Sequence, residues 1–360
     1  MMHNYSRAAA QMPAQFISVS VVGARGYTGL ETAKQLLRHP FAKLTHCFAT
    51  SEFALTDYLQ SKKVADVICL AEKDLMQNLT DVVFLATPAE ASLKLAPEIL
   101  KQGKSVIDLS GAFRLKKSDY GKWYGFTHEQ NELLQSATYG LVPFAKPTDS
   151  AGGPAKLIAN PGCYASSVLM ALIPLIKNNL VEVDTIVIDA KSGTTGAGKK
   201  TSENLLFTEV DGECLPYKIG RHQHLPEIIE ATALFTGVEI NPFFTTHLLP
   251  TRRGILSSIY MKVKQGVTKE QIQKAYAESY QQNPLVFFGE SVKQPQLLSL
   301  KKVVGTAHTH ISYELVDEKL FVFSTIDNLM KGAASQAIEN FNRMNDFSQD
   351  AGLADMEAMI

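Results

Sequence analysis

Cys163 follows Asn160-Pro161-Gly162 directly and opens a stretch of helical pattern that starts at Tyr164. A thiol at a helix N-terminus meets unpaired N–H groups and the positive end of the helix dipole. Both favour the thiolate and lower its pKa, which is the setting of a covalent nucleophile. The bland alternative is a buried small hydrophobe. We adopt it for Cys47 and Cys69, and we give Cys214, in the polar loop Asp211-Gly212-Glu213-Cys214, no role. A thiolate enzyme also needs a group that takes and gives protons near neutral pH. Gly220-Arg221-His222-Gln223-His224-Leu225-Pro226-Glu227 supplies two histidines. The same pair could hold a metal, but no third ligand accompanies it, and no metal is expected. His308-Thr309-His310 repeats the spacing within an expected strand and reads as structural or surface. Arg114, Arg221, Arg252 and Arg253 are candidates for bidentate anion contacts, a solvated side chain being the alternative for each.

A second constellation lies near the N-terminus. Residues 16–22 read as a buried strand, Gly23-Ala24-Arg25-Gly26-Tyr27-Thr28-Gly29 follows at once, and residues 30–39 carry apolar residues at helical spacing. Strand, glycines and helix start are what a pyrophosphate needs: close backbone approach and free N–H groups. The spacing is G-x-x-G-x-x-G, and its place at a strand–helix junction gives it weight that a glycine motif alone lacks. The residue closing the second strand picks the cofactor. In Thr50-Ser51-Glu52 the acid favours a free ribose 2'-hydroxyl, hence NAD, whereas the hydroxyl pair could accept a 2'-phosphate. Ala190-Lys191-Ser192-Gly193-Thr194-Thr195-Gly196-Ala197-Gly198-Lys199-Lys200 lacks the phosphate-loop frame and reads as a mobile segment at the rim of the site or at a subunit contact.

The elements that position these residues alternate. Strands are expected at 44–49, 81–86 and 105–109, with a helix at 89–102 closed by Gly103, which implies a parallel sheet with right-handed crossovers. Residues 146–154 form a loop, 157–159 a short strand, and 164–178 a helix with Pro174 as a kink or late break. From 185 to about 263 the pattern is strand-rich. Thr268 with Gln271 predicts a capping box opening a helix to 281, 320–323 is a strand, and 328–344 is the last helix.

Thirty-five Lys plus Arg against 36 Asp plus Glu give a net charge of -1 over 360 residues. That balance argues against a nucleic-acid partner and against a polybasic membrane anchor. No apolar run approaches the roughly 18 residues of a spanning helix. Scattered cysteines point to a reducing, cytoplasmic setting. Residues 1–15, polar and non-periodic, read as a disordered leader.

Taken in order, several pieces resemble the N-acetyl-gamma-glutamyl-phosphate reductase family of arginine biosynthesis. These are the glycine loop, Asp108-Leu109-Ser110-Gly111-Ala112-Phe113-Arg114, Asn160-Pro161-Gly162-Cys163-Tyr164 and His222-Gln223-His224-Leu225-Pro226-Glu227. Leu249-Pro250-Thr251-Arg252-Arg253-Gly254 and Asp327-Asn328-Leu329-Met330-Lys331-Gly332-Ala333 complete the set. The likeness runs from about Val19 to Met344. It implies an α/β chain with a Rossmann-type dinucleotide-binding domain (16–162 and 327–360). A glyceraldehyde-3-phosphate dehydrogenase-like α+β domain (163–326) would serve catalysis and oligomerisation. It implies Cys163, His222 and His224 as catalytic residues. Gly23, Arg25, Gly26, Tyr27, Thr28, Gly29, Ser51, Thr87, Pro88, Asn328 and Lys331 would meet the cofactor, and Arg114, Asn160 and Arg253 the substrate. The cofactor is expected to be NADP, with NAD open because of Glu52. The partner is a small acyl phosphate, and the assembly a homo-oligomer, dimer or tetramer. Three departures stand out: Gln223 between the histidines where arginine is usual, Thr87-Pro88-Ala89-Glu90 in place of leucine-proline-histidine, and Glu52 in place of a basic residue. The rival readings are a related acyl-phosphate reductase (aspartyl, or carrier-bound aminoadipyl or glutamyl phosphate), a non-catalytic dinucleotide-binding protein, and a metal-dependent hydrolase built on the histidine pair.

Overall fold

The computed structural model describes residues 16–145, 155–199 and 202–354. The expected leader, the 146–154 loop, Lys200 and the last six residues lie outside the described residues.

The first half is a seven-stranded sheet. In chain order its strands are β1 (Ile17–Val22), β2 (Ala42–Ala49), β3 (Ile68–Ala71), β4 (Val82–Leu85), β5 (Ser105–Asp108), β6 (Thr138–Tyr139) and β7 (Leu157–Ala159). They lie in the order β3-β2-β1-β4-β5-β7-β6, and every pairing is parallel. The winding reverses between β1 and β4, the crevice where ligands bind in such sheets. Central strands are buried on both faces, so they read as apolar runs rather than alternations. Val82 and Phe84 join one core layer with α1 (Tyr27–Leu36), and Val83 and Leu85 join the opposite one with α2 (Ala89–Lys101). Two short helices, α3 (Tyr120–Trp123) and α4 (Asn131–Ser136), follow β5.

The second half opens with α5 (Cys163–Lys177), in which every residue from Tyr164 to Ile176 is buried. A helix apolar all round belongs inside a core. Pro174 does not break it; the helix runs on to Lys177. The sheet over it has the order β12-β13-β14-β11-β8-β10-β9. Its strands are β8 (Val187–Gly193), β9 (Leu215–Tyr217), β10 (Phe243–Leu249), β11 (Ile255–Lys262), β12 (Val286–Glu290), β13 (Thr309–Val316) and β14 (Lys319–Ile326). Three helices accompany it: α6 (Phe207–Val210), α7 (His224–Thr236) and α8 (Lys269–Tyr280). The capping box expected at Thr268 and Gln271 is present in both directions. The sheet is mixed, with β8–β10 and β12–β13 parallel and the other pairs antiparallel. The stretch read as strand-rich therefore also contains α7, a 13-residue helix. Pro226 stands in its first turn, where a missing N–H costs nothing.

After β14 the chain returns to the first half. Met330–Ala334 forms a π-helical turn and continues into α9 (Ser335–Met344). Ala337, Ile338, Phe341 and Met344 complete the core layer of β1, β4 and α1.

Candidate active site

At the crevice, Gly23 has φ +81°, and a Cβ there would lie 2.3 Å from the carbonyl oxygen of Ala86, just past β4. At Gly29 a Cβ would lie 2.3 Å from the Gly23 oxygen. Both glycines are thus required by close packing of the loop. Gly26 caps α1 with no side-chain hydrogen bond, leaving the first helical N–H groups for a ligand. Tyr27 and Thr28 form the first turn. Thr87 packs against Gly23 and bonds Ser92 at 2.8 Å, and Pro88 caps α2. At the end of β2, Arg25 Nη1 donates to Ser51 Oγ at 3.0 Å, both groups exposed and Glu52 exposed beside them. A cavity of about 510 Å³ adjoins the loop, lined by Tyr27, Thr194, Thr195, Lys199 and Ser202 among others. Lys199 Nζ lies 5.3 Å from the Tyr27 ring centre and 4.8 Å from that of Tyr58. These groups suit a dinucleotide: free N–H donors and tight glycines for the pyrophosphate, a hydroxyl–guanidinium pair at the ribose position.

Cys163 begins α5 as expected, with Gly162 as its N-cap. A Cβ at Gly162 would lie 2.3 Å from His224 Nε2 and 2.8 Å from Arg114 Nη1, so only glycine lets these groups close on the turn. On the other side Gly332, in the π-helical turn, abuts the nucleophile: a Cβ there would lie 2.6 Å from Cys163 Cβ. The expectation that the helix start lowers the Cys163 pKa is outweighed by burial. Burial pushes the Cys163 thiol up to about 11, outweighing the opposing charge of Arg114. The resting group is the thiol, and it needs a base.

Both histidines are buried, and desolvation pushes His222 down to about 2 and His224 to about 3, so both are neutral. They differ in surroundings. His222 Nδ1 accepts the His224 backbone N–H at 3.2 Å. Its ring is enclosed by Tyr164, Tyr217 and Phe244 at centroid distances of 5.3, 5.6 and 5.6 Å. His224, the first residue of α7, turns Nε2 toward Gly162, and its Nδ1 has no hydrogen-bond partner.

One turn along α7, Glu227 is completely buried. Its Oε1 accepts Gly162 N–H at 2.7 Å and the Tyr139 hydroxyl at 2.9 Å. Its Oε2 lies 3.6 Å from Arg114 Nη1 and 3.9 Å from His224 Nε2. Sequence reading passed over Glu227, although its i,i+3 spacing from His224 was a usable signal. Tyr139 was not singled out in sequence, and Gly332 stood there only as part of the Asp327–Ala333 segment.

Several residues expected at the ligands also bond within the protein. Arg114 gives Nε to the Asn160 carbonyl (2.7 Å) and Nη2 to that of Leu109 (2.8 Å). Asn160 Nδ2 donates to the Ala333 carbonyl and its Oδ1 accepts from Asn340. Arg253 is held by Glu31 and Asp327. Asn328 fastens Gly254 N–H and Thr195. Lys331, wholly buried, pairs with Glu339 at 2.8 Å and donates to the Val142 carbonyl. These side chains thus have protein partners as well, many of them joining the two halves. Arg221 and Arg252 are exposed. His310 is buried against Phe287, as a structural histidine. Among the described residues no three His, Cys, Asp or Glu side chains converge as for a metal, and no helix is long and apolar enough to cross a membrane.

The parallel sheet with its glycine loop, the mixed-sheet second half and the cysteine at their junction agree with the semialdehyde dehydrogenase class. Residues 18–149 match the family model "Semialdehyde dehydrogenase, NAD binding domain", and residues 163–328 match "Semialdehyde dehydrogenase, dimerisation domain". Among solved structures, aspartate semialdehyde dehydrogenase II from Vibrio cholerae superposes with a TM-score of 0.68 at 16% identity, over 92% of this chain and 99% of that one. The Francisella tularensis aspartate semialdehyde dehydrogenase gives 0.66 at 16%, over 92% and 100%. At such identity the likeness speaks for the fold. Among curated relatives, N-acetyl-gamma-glutamyl-phosphate reductase of Vesicomyosocius okutanii is 37% identical over 343 residues, 94% of this chain and 97% of that protein. The Bacillus cereus protein of that name is 38% identical over 347 residues, 94% and 99%. The chain belongs to the N-acetyl-gamma-glutamyl-phosphate reductase family.

Proposed function

We propose that this protein reduces N-acetyl-L-glutamyl 5-phosphate to N-acetyl-L-glutamate 5-semialdehyde and phosphate, in arginine biosynthesis, through a thioester on Cys163. The observation that carries the reading is the Gly162 turn, where a nucleophile, a neutral histidine, a guanidinium and a carboxylate meet beside the dinucleotide crevice.

His224 is the acid–base residue. Its neutral ring takes the Cys163 proton at Nε2 as sulfur adds to the acyl carbon; the C–O bond to phosphate breaks and a thioester remains. A reduced nicotinamide dinucleotide held at the Gly23–Gly29 loop would supply the hydride that reduces the thioester. The resulting thiohemiacetal collapses with cleavage of the C–S bond, and the proton held on His224 returns to sulfur. Backbone N–H groups at the start of α5, that of Cys163 among them, stabilise the developing oxyanion. His222, with its Nδ1 engaged and its ring enclosed, braces His224.

NADP is the preferred cofactor in this reading. The Arg25–Ser51 pair stands at the end of the second strand, where a guanidinium serves a 2'-phosphate. Assembly as a homo-oligomer through the second sheet is part of the same proposal. Tyr260, Phe321 and Phe323 cluster on its face away from the helical core, supported by the name of the matching domain model. A cytoplasmic location fits as well.

The test is the reverse reaction. N-acetyl-glutamate semialdehyde and phosphate, with NADP or NAD in parallel, should give phosphate-dependent nicotinamide reduction, faster with NADP. Turnover of aspartate semialdehyde alone would overturn the substrate assignment.

A further inference from the structure

We infer that Lys218 is a phosphate-binding residue of this site. Its ammonium group receives the phosphate of the acyl phosphate, and inorganic phosphate in the reverse direction. The inference deepens the reading of Cys163 and His224 above and rests on it for the reaction.

Lys218 directly follows β9, where the chain turns toward the histidine pair. Its backbone is strained, with φ at +46°. The other non-glycine residues at positive φ among the described residues are Asn179, Asp317 and Asp346, types that enter the left-handed region readily. Lysine does not, and such strain persists where the surroundings impose it, often at ligand sites. Two bonds hold it here. The Lys218 carbonyl accepts Arg221 N–H at 2.9 Å, and Nζ donates to Gln223 Oε1 at 2.6 Å. Gln223 is the N-cap of α7 and stands between the two histidines. On the other flank, the Tyr217 hydroxyl donates to that of Tyr164, the residue after Cys163, at 3.1 Å. The Tyr217 ring lies 5.6 Å from that of His222. Both neighbours thus tie Lys218 to the groups around the nucleophile.

The cation has a partner but no counter-charge there. Gln223 is a neutral amide, so it aims the ammonium group without cancelling it. Desolvation pulls the Lys218 pKa below the ordinary 10.5, and no carboxylate among the described residues offsets that. The side chain still opens to solvent, so an anion can reach it. Arg114 differs, because its guanidinium already faces the Glu227 carboxylate at 3.6 Å. Desolvation keeps both histidines neutral, and the charge of Lys218 acts in the same direction on each. An anion at Lys218 would offset that charge where His224 becomes an imidazolium. The chemistry decides which anion. The phosphate is bonded to the carbon that sulfur attacks, so it lies beside His224, whereas the free carboxylate sits at the far end of the glutamyl chain. As the C–O bond breaks, its electron pair leaves with the phosphate, and the ammonium group meets the growing negative charge.

The experiment uses the full-length protein, inorganic phosphate as probe and two readouts. Without cofactor, phosphate should protect Cys163 from iodoacetamide, followed by peptide mass, where sodium chloride of equal ionic strength does not. In Lys218→Gly the half-protecting phosphate concentration should rise about tenfold, the scale of one charge-assisted contact. Glycine accepts the left-handed backbone, so the urea midpoint of this variant should be no lower than that of the parent. In the reverse reaction, KM for phosphate should rise by the same factor, with KM for N-acetyl-glutamate semialdehyde and Kd for NADPH little changed. Lys218→Arg keeps the charge and should stay close to the parent in both readouts. Lys218→Gln keeps the stem and the strain without the charge, so it should match Lys218→Gly and decides the matter if that variant is poorly folded. Absent protection in the parent, equal protection in the parent and the uncharged variants, or a rise in all three constants together would overturn the inference. Protection lost with the charge, in a protein whose parent form does not turn over N-acetyl-glutamate semialdehyde, would sustain the role of Lys218 and overturn the substrate reading instead.

Discussion

At the mouth of the crevice an arginine touches a serine in solvent, Arg25 on Ser51 at 3.0 Å. At the Cys163 turn an arginine approaches a glutamate out of solvent, with Arg114 7% and Glu227 0% exposed in their side chains. The residue types are as ordinary in one place as in the other, but water differs. In the mouth, screening keeps each contact weak and leaves the donors free for an incoming anion. At the turn, desolvation moves a thiol to about 11 and an imidazole to about 3. In the proposed function the mouth recognises and the turn reacts. Substitutions should therefore cost far more at the turn than at the mouth.

Cys163→Ser should show the largest effect. A serine hydroxyl at the same place is harder to ionise than a thiol, so kcat should fall on the order of 10³-fold or more. Stopped-flow turnover of the acyl phosphate measures it, and near-normal rates would end the covalent reading. Next come the histidines, which the comparison separates from each other. His224→Asn should cost about 10²- to 10⁴-fold in kcat. His222→Asn should act mainly on stability, because its ring packs in an aromatic enclosure. Equal losses of kcat in both would erase the distinction. The pair also sets an acid limit. Each is neutral in the folded protein and accepts a proton near its ordinary 6.5 once unfolded. As pH falls below that value, the unfolded state binds more protons. Stability should then drop by about 1.4 kcal/mol per pH unit for each histidine, down toward their folded values. Urea titrations between pH 7 and 4, on parent protein and on the double variant, would show the slope and its loss.

The same contrast explains what could be read from the chain. The mouth was legible because local order creates it: strand, glycines and helix are contiguous, and Gly23, Gly26 and Gly29 are demanded by backbone closeness. The capping box at Thr268 was legible for the same reason. The turn was half legible. Cys163 announces itself through Gly162 and a helix start, whereas its pKa depends on burial and on charges brought from positions 114 and 227. The helix α7 was missed because Ile228, Ile229, Thr232 and Thr236 suit a strand as well. Burial against α5 decides the matter, with Gly237 at φ 74° ending the helix. The protein partners of Arg253, Asn328 and Lys331 were illegible for a related reason: an isolated polar residue does not name its partner. Asp327, Thr195 and Glu339 turned out to be those partners. Lys331→Met makes this testable. It would strand a buried carboxylate at Glu339 and should cost about 3 to 5 kcal/mol in unfolding free energy. The affinity of the surviving folded protein for NADPH should not change, and a loss of affinity beyond that of the parent would return Lys331 to the cofactor.

The smallest effect belongs to the mouth, and it sharpens the comparison most. Arg25 is exposed, bonded to a single hydroxyl, and free to turn toward a phosphate on a ribose held against the glycine loop. A charge-assisted contact there is worth about 1.4 kcal/mol, or tenfold in affinity. Arg25→Ala should therefore raise Kd for NADPH about tenfold and leave NADH binding unaltered, because NADH carries no 2'-phosphate. Salt should weaken NADPH binding to the parent protein and matter less to the variant, since the screened contact is already gone. Alkylation of Cys163 should be indifferent to the change, because the mouth and the turn share the crevice without sharing a charge network. If NADH suffers as much as NADPH, Arg25 serves the pyrophosphate, and discrimination between the cofactors has to come from Ser51 and its neighbours alone.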